Sequence, residues 1–163
     1  MQTQVALEAI GPIVHGYHEN PFEVLGPHEI EDQGRRALAV RAYLPDSRQV
    51  WVVDPSHGKS RPMRKIHPAG LYEAICDDDW TTIEGPTSAA PYQLRVTNNS
   101  GETTTMHDPS AFKPLMTDYD LHLMGEGTHW KSYDRLGAHL RTIDGVAGVN
   151  FAVWAPNAES VAL

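Results

Sequence analysis

Phe22-Glu23-Val24-Leu25-Gly26-Pro27-His28 returns 111 residues later as Tyr133-Asp134-Arg135-Leu136-Gly137-Ala138-His139, and this pair of stretches decides the fold. The same offset, without a gap, sets Gly34 on Gly145 and Val50 on Val161. It also sets Val40-Arg41-Ala42-Tyr43-Leu44-Pro45-Asp46 on Phe151-Ala152-Val153-Trp154-Ala155-Pro156-Asn157. Any two β-hairpins share alternation and turn formers. They do not need to share a Leu-Gly-x-His lead-in held in one register from residue 22 to residue 50. A fixed offset that keeps the turn residues in step is the mark of an internal duplication. The chain therefore reads as two copies of one small β-domain in tandem, the second represented only by its opening strands.

Working outward from the first copy, Thr3 to Ile10 has helical periodicity, with Val5, Ala9, Ile10 and Ile13 near one face, and Gly11-Pro12 is expected to interrupt it. Asn20-Pro21 opens a short helical turn that ends at Gly26. A strand starts at Pro27, turns at Asp32-Gln33-Gly34, and continues as Arg36 to Leu44. There Leu38, Val40, Ala42 and Leu44 share one face, with Arg41 and Tyr43 on the other. Further strands are expected at Gln49 to Val53, Met63 to Ile66 and Leu71 to Cys76. Tyr92 to Thr97 and Glu102 to Met106 form a hairpin across Asn98-Asn99-Ser100-Gly101. Six or seven short strands with close turn signals predict an all-β, immunoglobulin-like β-sandwich with a short N-terminal helix, followed by an incomplete second β-sandwich. Asp77 to Pro91 is polar and carries Gly85-Pro86, so it reads as a loop.

This divides the chain into a sandwich domain over residues 1–107, a linker over 108–132, and the start of the second copy over 133–163. Within the linker, Thr117 to Met124 is expected to be a short helix capped by Gly125. The run Gly125-Glu126-Gly127-Thr128-His129-Trp130 lacks the strand-turn-helix context of a phosphate cradle and is read as a turn.

Composition narrows the functional classes. Hydrophobic residues make up 40%, enough for a packed core. No apolar run reaches the roughly 20 residues of a membrane span, and the N-terminus lacks the features of a secretory leader. Cys76 is the only cysteine, which fits a reducing cytoplasm. A net charge of −8 argues against nucleic acid and against an anionic membrane as partners. Nine histidines are present, but His122, His129 and His139 follow no metal-ligand spacing, so no metal and no cofactor is expected. His28 and His139 hold equivalent places in the two copies, which points to a structural role where the first strand begins. The acidic cluster Asp77, Asp78, Asp79 and Glu84 reads as a solvated charge run and not as a catalytic pair.

Gly148-Val149-Asn150-Phe151-Ala152-Val153-Trp154-Ala155-Pro156-Asn157-Ala158 resembles the start of the isoamylase N-terminal-like carbohydrate-binding module that precedes the barrel in α-amylase-clan enzymes acting on glycogen branch points. A narrower match is carried by Asn20 to His28, Asp118-Tyr119-Asp120-Leu121-His122-Leu123, Gly125 to His129, Ser132-Tyr133 and Leu136-Gly137-Ala138-His139. Together these resemble the N-terminal region of bacterial 1,4-α-glucan (glycogen) branching enzymes, over essentially the whole chain. Ser110 departs from the aromatic usual in that family after Asp108-Pro109, as Met116 and Met124 depart from leucine-like positions.

The resemblance implies a parent glycosyltransferase that cleaves an α-1,4-glucan and reattaches the segment through an α-1,6 bond. Retention of configuration calls for two carboxyl groups about 5–5.5 Å apart. In that clan they sit on a (β/α)₈ barrel of about 250 residues, so no catalytic residue maps onto this chain, which is not expected to be an enzyme by itself. The implied partners are α-glucan and the parent's catalytic barrel. Glucan binding would use an exposed ring as a flat apolar platform. Trp51 is the first candidate, because Val50 and Val52 take the opposite face of its strand; Trp80 and Tyr92 are the others. The alternative for Trp51 is packing against the N-terminal helix or the barrel. Two roles stay open: an accessory region that positions glucan or the barrel and influences the chain length transferred, and a free-standing β-sandwich interaction module without glucan binding. The unfinished second copy favours the first.

Overall fold

The computed structural model describes residues 7–32, 34–76, 80, 92–112, 114–159 and 161. They fall into two compact units, residues 1–112 and 113–163. The stretch expected as a linker is divided between them: Asp108 to Phe112 belongs with the first unit, and the following helix with the second.

The first unit opens with helix α1 (Leu7–His15), followed by a 3₁₀ turn at Pro21–Glu23. Among the described residues eight strands come next: β1 (Gly26–Asp32), β2 (Arg35–Tyr43), β3 (Ser47–Asp54), β4 (Lys59–Pro62), β5 (Arg64–His67), β6 (Leu71–Cys76), β7 (Gln93–Asn98) and β8 (Thr103–His107). They form two antiparallel sheets, β1-β2-β6-β5 and β4-β3-β7-β8, which is the sandwich expected from the alternation. Leu38, Val40 and Ala42 from one sheet meet Val50, Val52 and Leu94 from the other, with Tyr72, Ala74, Cys76 and Tyr92 completing the core. Period-2 strands bury one face each, and here the two apolar faces bury each other. The chain crosses between the sheets at Met63, which separates β4 from β5, is buried, and donates its amide to the Val50 carbonyl at 2.8 Å. The sequence showed one strand in this region. The structure has two, because the crossover residue is itself apolar and blurs the boundary.

Helix α1 continues through Gly11-Pro12, where an interruption was expected. Pro12 cannot donate to the carbonyl four residues back, a real local cost. Burial of Ile10 and Ile13 on either side outweighs it, because both pack with Val24 and Leu71 on the outer face of the β1-β2-β6-β5 sheet. That outer face is therefore covered. Arg41, placed opposite the core by its alternation, is buried there and its Nε donates to Glu73 at 3.1 Å.

The second unit contains helix α2 (Asp118–Glu126), a 3₁₀ turn at Ser132–Asp134, and the antiparallel hairpin β9 (Gly137–Ile143) and β10 (Val146–Ala152). Helix α2 ends at Gly127, φ 72°, and not at Gly125 as expected. Gly127 holds the left-handed conformation that closes a helix, whereas Gly125 lies inside it. Asp77 to Asp79 and Thr81 to Pro91, read from the sequence as loop, lie outside the described residues. No described helix is long and apolar enough to cross a membrane.

Candidate functional site

The duplication seen in the sequence is a duplication of backbone geometry, and it is longer than the sequence showed. Adding 111 to α1 gives α2, from Leu7–His15 to Asp118–Glu126, and adding it to the first 3₁₀ turn gives the second. Gly26↔Arg41 in the first hairpin becomes Gly137↔Ala152 in the second, and every pair between follows in step. The helix ends agree bond for bond. The Gly16 amide donates to Ile13 and that of Tyr17 to Pro12; the Gly127 amide donates to Met124 and that of Thr128 to Leu123. His28 Nε2 bonds the Leu25 carbonyl at 3.1 Å and His139 Nε2 bonds the Leu136 carbonyl at 3.0 Å, which is the structural role read from their equivalent positions.

The copies differ in how the helix is locked to the turn after it. In the first the lock is apolar, built from Ile10, Ile13 and Val24. In the second it is ionic and centred on buried Asp120, which replaces Ala9. Thr117 donates its amide at 3.0 Å and its hydroxyl at 2.7 Å to Asp120 Oδ2, and accepts the Asp120 amide in return at 3.2 Å, a reciprocal N-terminal cap. His129 Nε2 at 3.0 Å and Arg135 Nε at 3.2 Å reach the other carboxylate oxygen. The hydrogen bonds from Thr117 and then His129 hold the Asp120 carboxyl well below the usual carboxylate range. The sequence signal for this cluster was Thr117-x-x-Asp120, a variant of the capping pattern. His129 and Arg135 join it only through the fold.

The three aromatic candidates separate cleanly. Trp51 lies half-buried on the outer face of the β4-β3-β7-β8 sheet, the face that α1 does not cover. Pairing aligns it with Pro62 on β4 and Arg95 on β7, and Arg95 with Thr105 on β8, so one row crosses all four strands. The Arg95 guanidinium sits 5.3 Å from the Trp51 ring centre, a cation–π contact. The described residues of α1 pack with Val24 and Leu71 on the other sheet. Trp80 is partly buried and packs on the sandwich core. Tyr92 is 4% exposed, and its hydroxyl donates to buried Asp108, whose other oxygen accepts the Ser110 amide at 2.9 Å. Its ring presents no face to a sugar, contrary to expectation, because Tyr92 precedes β7 with its ring turned into the core. Burial, then the neighbouring Asp108 charge, pushes the Tyr92 hydroxyl upward; burial likewise raises Asp108 despite its hydrogen bonds. Cys76 is buried in the sandwich core.

Fold, duplication and surface define a two-unit β-module in which the described residues gather no three metal-ligating side chains. Residues 6–110 match the family model described as the N-terminal domain of the α-1,4-glucan branching enzyme GlgB. The 1,4-α-glucan branching enzyme GlgB of Rhodopirellula baltica is 42% identical over 161 residues, covering 99% of this chain and 21% of that protein. Those of Trichormus variabilis (41% over 162 residues, 99% of this chain) and Synechocystis sp. (42% over 165 residues, 100%) are each covered over 20% of their length. The chain belongs to the family of branching-enzyme N-terminal domains. It spans about a fifth of the length of the relatives it matches. Among solved structures, the catalytic module of the glycogen-degrading pneumococcal virulence factor SpuA aligns over 59% of this chain and 13% of its own length. That match has 13% identity and a TM-score of 0.36.

Proposed function

We propose that this chain serves as the N-terminal accessory region of a cytoplasmic glycogen branching enzyme, positioning α-glucan or the catalytic barrel and influencing which chain length is transferred. The supporting observation is the family match over residues 6–110, together with relatives whose similarity runs the length of this chain while occupying only a fifth of theirs. In this reading the carboxylate pair that breaks and remakes the glycosidic bond belongs to the remainder of the parent. What the accessory region contributes is orientation: a glucan or a barrel held in place lowers the entropic cost of bringing a long, flexible donor chain to the site.

The test is a graft. This chain would replace the corresponding N-terminal fifth of the Rhodopirellula baltica relative, and the product would be debranched and its chain lengths profiled. The expected result is an active enzyme whose profile differs from that of the same protein lacking the segment. A soluble graft with a profile identical to the deletion would overturn the reading and favour a free-standing interaction module.

A further inference from the structure

The outer face of the β4-β3-β7-β8 sheet combines one large aromatic ring with short polar side chains. Its central row is Pro62, Trp51, Arg95 and Thr105. One flanking row is Ser60, Val53, Gln93 and His107, and the other is Gln49, Thr97 and Thr103. Side-chain contacts confirm that these residues share a face: Gln93 and His107 approach at 3.4 Å, and the Thr97 and Thr103 hydroxyls at 2.9 Å. In a protein of net charge −8, these rows carry no carboxylate and one permanent charge, Arg95. With strands about 4.8 Å apart, the four of them present a patch about 14 Å across.

We propose that this face binds α-1,4-glucan, the sugar stacking on Trp51 while Arg95, Gln93, Thr105 and His107 hold its hydroxyls. The proposal rests on the accessory-region reading above. A neutral polyol needs an apolar platform beside groups that both donate and accept, and Gln, Thr and His supply that mixture around the ring. An anionic ligand would call for more than one cation, and a protein partner for a broader apolar patch than Trp51, Val53 and Pro62 offer. Arg95 has a double part. Without sugar its guanidinium lies over the ring and holds it oriented. With sugar on the ring, its planar fork turns to adjacent hydroxyl oxygens.

The test uses the full chain with maltoheptaose as the probe, read by calorimetry and by the indole N–H signals in two-dimensional NMR. Saturable binding that shifts the Trp51 indole signal is expected. Trp51→Ala should weaken it by about tenfold or more, Gln93→Ala by about threefold, and Trp130→Ala, on the second unit, not at all. Should Trp51→Ala fail to fold, Thr105→Glu on the exposed edge strand places a carboxylate over the face and should lower affinity by about tenfold. No saturable binding by the unmodified chain, undiminished binding in folded Trp51→Ala or Thr105→Glu, or equal loss in Trp130→Ala would overturn the proposal. A working graft without maltoheptaose binding would remove this site and leave the accessory reading standing.

Discussion

The two copies of the helix–turn–hairpin element have the same backbone and opposite surfaces. At the equivalent positions Val40 and Phe151, one side chain is 0% exposed and the other 53%. Leu38 and Val149, and Ala42 and Val153, repeat the contrast. In the first unit a second sheet brings Val50, Val52 and Leu94 down on this face, whereas the described second unit has a two-stranded sheet only. The comparison teaches that the duplicated element carries its own turns, caps and register, while the burial of its apolar stripe is conferred by strands outside it. Local geometry needs only near neighbours; the hydrophobic effect needs a partner surface.

The largest effect should come from breaking that asymmetry directly. Val40→Asp buries a charge without a partner and should unfold the first unit, a loss of roughly 4 kcal/mol or more. Phe151→Asp at the matching position should change stability by less than about 1 kcal/mol and raise solubility. Residue-resolved urea titration by NMR would follow the units separately, and equal losses would refute the comparison.

Next are the lead-in glycines. Gly26 and Gly137 both hold positive φ, 87° and 98°. A methyl group at Gly26 would run into the Ser110 carbonyl, whereas one at Gly137 meets open space. Gly137→Ala should cost about 1–2 kcal/mol for the backbone conformation alone, and Gly26→Ala visibly more. The same titration checks the difference.

Acid should separate the units through two buried aspartates of opposite sign. Asp120 is depressed when folded, so the stability it contributes is present above the ordinary carboxylate range and is lost as pH falls through its lower folded value. Asp108 is raised, so its unit loses stability as pH climbs from the ordinary range through the folded value. Hydrogen exchange on acidification should therefore quicken around 117–135 in the unmodified chain, and Asp120→Asn should remove that acid dependence. An unchanged acid response in Asp120→Asn would break the assignment of the ionic lock.

The smallest effect tests equivalence and not difference. His28→Ala and His139→Ala each delete one imidazole-to-carbonyl bond, and each should cost about 1 kcal/mol. Losses that differ widely would mean that the two lead-ins are alike in shape but not in energetics.

What was legible from residues alone followed from local or periodic signals. The alternation in Arg36 to Leu44 announced a strand and its core face. The repeated Leu-Gly-x-His announced the duplication, and the family resemblance added Gly148 to Ala158, Asp118 to Leu123 and Gly125 to His129 to those residues. The repeat of the helix was hidden because Ala9 and Asp120, or Pro12 and Leu123, share nothing chemically although they occupy matching places. The helix boundary at Gly11-Pro12 was misjudged because propensity is local and the burial of Ile10 and Ile13 is not. Trp51 could be assigned to an outward face from Val50 and Val52, but its neighbours could not, since Arg95 is 44 residues away and arrives only through strand pairing. Tyr92, read from its place beside the irregular loop as a lesser candidate than Trp51, is part of the core.

By itself, then, the sequence determined the strands other than β4, the turns and the duplication, since alternation and turn chemistry act within a few residues. The tertiary structure alone decided which aromatic ring is buried, which helix is locked by ions, and which sheet face α1 covers, because those outcomes depend on residues far apart in the chain meeting across a sheet.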